Sequence, residues 1–122
     1  MGAVLSEEGL LDEAIKEYAE ALRIDPEYGE AYHRLGMTFH EKGFIHKAIR
    51  EYRKALTINP GNGKAHNSLG TALGRLGSYN EAIKEFQVAL RIDPGDPLAR
   101  ENLKIAFRRI GFVEKESSDD LS

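Results

Sequence analysis

Apolar residues recur along this chain in steps of three and four, the spacing of a helix face, and nowhere in the strict alternation of a half-buried strand. In EAIKEYAEALRI, which begins at Glu13, the residues Ala14, Ile15, Tyr18, Ala21, Leu22 and Ile24 form one stripe, with Lys16, Glu17, Glu20 and Arg23 outside it. KAIREYRKALTI from Lys47 and EAIKEFQVALRI from Glu81 repeat that pattern, so that Ala14, Ala48 and Ala82 align, as do Tyr18, Tyr52 and Phe86. Each segment runs into a proline, and Pro26, Pro60 and Pro94 stand 34 residues apart. A proline ring disfavours helical geometry in the residue before it, so each segment predicts an amphipathic helix that ends there.

A second helix is predicted upstream of the latter two. AYHRLGMTFHEKG from Ala31 and AHNSLGTALGRLG from Ala65 align Leu35 with Leu69, Gly36 with Gly70, Phe39 with Leu73, and Gly43 with Gly77. Gly43 and Gly77 suit the left-handed residue that closes a helix. Asp12 and Asn80 offer side-chain oxygens to the next helix start, and Lys42 and Arg75 suit the helix dipole near the preceding end. Gly36 and Gly70 sit mid-helix, where glycine costs about 1 kcal/mol relative to alanine. Their recurrence predicts a helix passing too close for a side chain, with Ala48 and Ala82 opposite.

A 34-residue helical pair with a small residue in its first helix, alanines in its second, an aromatic between them and a closing proline resembles the tetratricopeptide repeat. The resemblance implies an all-α fold, a right-handed α-solenoid of antiparallel helix pairs with a C-terminal capping helix. Residues 1–28 form a truncated first repeat on this reading, with a first helix cut to Gly2–Glu8 and a second over Asp12–Ile24, while 29–62 and 63–96 are full repeats. Residues 97–113 form the cap, with Asp96 as N-cap and Pro97 at the first helical position, running to Gly111. Leu103, Phe107 and Ile110 are expected to cover the third repeat, and Arg100 and Lys104 to face water. Residues 114–122 are acidic without hydrophobic period, which predicts a disordered tail.

Composition narrows the function. Of 122 residues 41% are hydrophobic and 30% charged, with no long apolar run, so no membrane span is expected. Cysteine is absent, which removes disulfides, thiolate metal sites and thiol nucleophiles. A net charge of −3 gives no general pull toward nucleic acid or anionic lipid. MGAVLS fits an N-myristoylation pattern, yet Gly2 lies one period before Gly36 and the repeat accounts for it. Met1–Leu11 lacks the basic and apolar regions of a signal peptide, which leaves a cytoplasmic address as the expectation.

No phosphate loop or nucleophile motif is present, so no enzyme activity and no cofactor are expected. His33 and His40 are seven residues apart, about 10 Å along a helix, too far to chelate one ion. The expected function is protein–protein interaction in a concave groove, with no nucleic acid or membrane partner. Two alternatives stay open: self-assembly through the N-terminal end, where Ala14, Ile15, Tyr18 and Leu22 are short of cover, or a regulatory piece of a larger enzyme.

The resemblance assigns partner contact to the first helix of each pair. It implies a groove of Glu30, His33, Arg34, Met37, His40 and Glu41, then Lys64, Asn67, Ser68, Thr71 and Arg75, with Leu98, Glu101, Asn102, Ile105, Arg108 and Arg109 from the cap. Members that grip chaperone tails do so with lysines, asparagines and an arginine; here those sites hold His33, Met37, Ser68, Leu98 and Asn102. An asparagine ladder found in other members would fall on Arg34, Ser68 and Asn102, and is not reproduced. Bases outnumber acids in this set, toward its C-terminal half and beside Leu98 and Ile105, so the expected ligand is an acidic peptide with apolar anchors.

Overall fold

The computed structural model describes the backbone of residues 7–121 and the side chains of residues 7–111. Six helices and no strand occur among them: α1 (Glu7–Ile24), α2 (Gly29–Glu41), α3 (Ile45–Ile58), α4 (Gly63–Arg75), α5 (Tyr79–Ile92) and α6 (Pro97–Leu121). The chain divides into two compact units, Met1–Gly61 and Asn62–Ser122.

In the first unit α2 and α3 form an antiparallel pair closed by a left-handed glycine, Gly43, with φ 85°. The Gly43 N–H donates to the His40 carbonyl at 2.9 Å and the Phe44 N–H to the Phe39 carbonyl at 2.9 Å, which satisfies the last carbonyls of α2. The rings of Phe39 and Phe44, 6.4 Å apart, cover that turn. Ala31, Leu35, Ala48, Tyr52 and Ala55 are buried, and Tyr52 is only 1% exposed. Gly36 makes room for its ring: a Cβ there would lie 2.6 Å from Tyr52 Cδ1.

The α1 helix packs on α2 yet buries no residue fully. Lys42, 9% exposed at the end of α2, ties the two together through Glu8 at 2.9 Å and through Asp12. Those carboxylates, Asp12 before Glu8, hold its ammonium protonated above the ordinary lysine range.

The second unit repeats the design. Gly77, with φ 82°, closes α4 by donating to the Gly74 carbonyl, and Ser78 donates to that of Leu73. Gly70 lies under Phe86, and Ala65, Ala72, Ala82 and Ala89 are buried. The α6 helix then buries Ala99 and Ala106. Its start is fastened by Asp96, whose Oδ1 accepts from the Leu98 N–H at 3.0 Å.

The recurring Asp-Pro and Asn-Pro pairs have a clear cause. Asp25, Asn59 and Asp93 each accept from the N–H two residues on, at 3.1, 3.2 and 3.2 Å, turning the chain after a helix.

Four expectations are corrected. The first helix does not break between Glu8 and Asp12, because Gly9, in register with Gly43 and Gly77, stays helical; glycine permits the left-handed turn without requiring it. Residues 1–6 lie outside those described. Asp12 and Asn80 are therefore helical residues rather than caps: α5 follows Ser78 directly, with no side-chain cap bond. The residues buried on α6 are Ala99 and Ala106, whereas Phe107 is 50% exposed. Nor does Gly111 end α6. Its φ is not positive, and the helical backbone continues to Leu121, through the acidic residues expected to lack regular structure.

Candidate partner-binding site

The candidate residues fall in both units, and each group is built differently. On α2, Glu30 and Arg34 are one helical turn apart and pair with each other, the Arg34 Nη2 donating to Glu30 Oε1 at 2.8 Å. This carboxylate, with Tyr18 close by, holds the Arg34 guanidinium protonated still further above its usual range. His33 packs edge-on against Tyr52, ring centres 5.7 Å apart, which gives it a structural place. Met37, Arg34 and Glu41 are exposed, and His40 is half-buried.

The second unit holds a concave site. A cleft of about 350 Å³ opens between α4, the start of α5 and α6. Its polar wall is Thr71, Arg75, Asn102 and Arg109; its apolar floor is Phe86, Ile105 and Ala106. Asn102 fixes one side: its amide donates to Asn67 Oδ1 at 3.2 Å and to Thr71 Oγ1 at 3.4 Å. Asn67 is buried, so that bond satisfies a group with little access to water. Among the described residues no acid lines the cleft, and neither Arg75 nor Arg109 is in an ion pair.

Of the eleven candidates in this unit, the structure thus brings Thr71, Arg75, Asn102, Ile105 and Arg109 to one cleft and places Asn67 behind it. Lys64, Ser68, Leu98, Glu101 and Arg108 do not line it. Leu98 is 61% exposed near the start of α6.

Gly70, Gly74, Tyr79, Phe86 and Ala106 line the cleft and were not among the sequence candidates. Gly74 carried a readable signal. It stands where the preceding repeat has His40, and a Cβ on it would meet nothing within 4 Å, so its small size helps keep the cleft open. Phe86 carried none beyond its packing role.

Among the described residues no group of three His, Cys, Asp or Glu side chains is placed to hold a metal, and no helix is long and apolar enough to cross a membrane.

Comparison with known proteins agrees with this architecture. A family model described as TPR repeat matches residues 2–43, and one described as Tetratricopeptide repeat matches residues 33–97. None of the curated proteins matches the chain. Among solved structures, the first TPR of Spaghetti (RPAP3) bound to the HSP90 peptide SRMEEVD is 22% identical, with a TM-score of 0.82 over 86% of this chain and 83% of that one. The Arabidopsis OM64 TPR domain is 27% identical, with a TM-score of 0.77 over 82% and 83% of the two chains. MamA is 26% identical, with a TM-score of 0.80 over 85% of this chain and 61% of its own.

Proposed function

The chain belongs to the tetratricopeptide repeat family, and on that footing we propose that it is a non-catalytic module that binds a partner protein through a peptide segment. The observation that carries this reading is the second-unit cleft, where two arginines outside any described ion pair stand over an apolar floor. A low-dielectric floor strengthens the attraction of such a pair for a carboxylate, while Ile105, 43% exposed, offers area to an apolar side chain. The ligand is therefore an acidic peptide with one or two apolar anchors. The TPR domain of Spaghetti is bound to such a peptide, SRMEEVD. Here the sites by which relatives grip a chaperone tail hold His33, Met37, Ser68, Leu98 and Asn102, so the ligand is held by other contacts.

The test is fluorescence anisotropy with a labelled peptide of alternating aspartate and leucine, at low and high salt. Binding should weaken with salt and be lost in Arg75→Glu/Arg109→Glu, while Lys84→Glu on an exposed position of α5 leaves it intact. Binding that survives the double charge reversal at low salt removes the cleft from the proposal.

A further inference from the structure

We propose that copies of this chain associate head to tail, α6 of one taking the first-helix place and α1 of the next the second-helix place of a hybrid repeat. This surface is separate from the cleft. The α1 helix carries the pattern of α3 and α5, with Tyr18, Tyr52 and Phe86 in line and Ile24, Ile58 and Ile92 in line. The α6 helix carries the pattern of α2 and α4, with Leu103 in line with Leu35 and Leu69, and Phe107 with Phe39 and Leu73. Each thus keeps the face its counterparts use for pairing, and neither face is fully covered: Ile24 is 71% exposed and Phe107 half exposed.

Contacts seen inside the two complete pairs predict those of the hybrid. Gly29 lies against Ile58 and Gly63 against Ile92, which puts Pro97 against Ile24. His66 Nδ1 sits 3.1 Å from Glu85 Oε1; the equivalents are Arg100 on α6 and Glu17 on α1, both exposed and opposite in charge. The Arg100 guanidinium donates to the Pro94 carbonyl at 3.1 Å. Gly36 and Gly70 lie under Tyr52 and Phe86, whereas the equivalent pair is Lys104 and Tyr18. A lysine cannot take that close approach, so the hybrid helices stand farther apart, with the ammonium over the ring as Lys54 lies over Tyr32 at 5.7 Å. The interface is accordingly weaker than an intramolecular pair, and reversible.

Charge favours this partner over a generic helix. Six acids against two bases lie on α1, whereas residues 97–111 of α6 carry four bases against one acid. Because the two surfaces differ, the contact is heterologous, and association continues past the dimer unless a ring closes.

Sedimentation velocity and circular dichroism on the full chain, from about 10 μM to about 1 mM, the range of a weak interface, test this. The average mass should rise with concentration. Glu17→Arg and Arg100→Glu, each alone, should keep full helicity and weaken association at least about tenfold, since each sets like charges against each other. An equimolar mixture of the two variants restores opposite charges at every contact and should recover association. A wild type monomeric throughout overturns the proposal, as do single variants that associate like wild type or a mixture no larger than its components. Peptide binding by the cleft variants is read separately, so either idea can fail without the other.

Discussion

Gly70 lies under the ring of Phe86 so closely that a Cβ at residue 70 would come within 2.5 Å of Phe86 Cε1. The contact is with the aromatic ring rather than with Ala82, and it sets how near α4 and α5 approach. Gly70→Leu should destabilise by about 2–4 kcal/mol through overpacking, more than its gain in helix propensity returns. Chemical denaturation decides it, with Lys84→Ala as the neutral control. Glu85→Ala, which looks like a surface control in sequence, is unsuitable because Glu85 pairs with His66.

Gly77 and Gly111 look alike in sequence and should respond oppositely to alanine. Gly77 has φ 82°, where a Cβ is strained, so Gly77→Ala should cost about 1–2 kcal/mol. Gly111 is helical with nothing near its Cβ, so Gly111→Ala should stabilise by up to about 1 kcal/mol. Thermal melts of both variants give the two signs directly.

Burial, aided by the nearby Glu41 carboxylate, pushes the Tyr52 hydroxyl up to about 12 from an ordinary value of 10.0. A raised acid means the unfolded chain releases this proton first as pH climbs. The contribution to stability is thus complete below about pH 10 and falls as pH rises toward 12, by about 3 kcal/mol in all. Tyr52→Phe should flatten that alkaline loss and remove one tyrosinate absorbance step near pH 12. An unchanged slope would place the alkaline sensitivity elsewhere.

Asn102 and Asn67 join α6 to α4 across 35 residues of sequence. Removing one partner of a buried polar pair leaves the other poorly satisfied, so Asn102→Ala should cost about 1–2 kcal/mol. A double-mutant cycle with Asn67→Ala should return a coupling of about 0.5–1.5 kcal/mol. Additive single effects would mean the bond does not hold in solution.

Much of this fold was legible in the letters because it is local. A stripe of Ala48, Tyr52 and Ala55 at helical spacing, a glycine at 43 or 77, and an Asp or Asn before proline each act within a few residues, and all did what their chemistry dictates. The repeat also located the close approach at Gly36 and Gly70, since a glycine that recurs at one mid-helix register despite its cost in propensity points to a neighbouring group.

What the tertiary structure decided is where the same letter is used differently. Gly9, Gly43 and Gly77 share a register, yet only the latter two turn left-handed, because glycine allows both conformations and packing selects between them. Asp12 has a capping oxygen by sequence and an ionic partner in space, Lys42, thirty residues away. Thr71, Arg75, Asn102 and Arg109 are letters on two helices separated by α5, and neither helical period nor propensity says that they meet around one cleft. Local sequence determines which helix forms and which face is apolar; which side chains converge on a site depends on how close the helices stand, and that is set by the volumes packed between them.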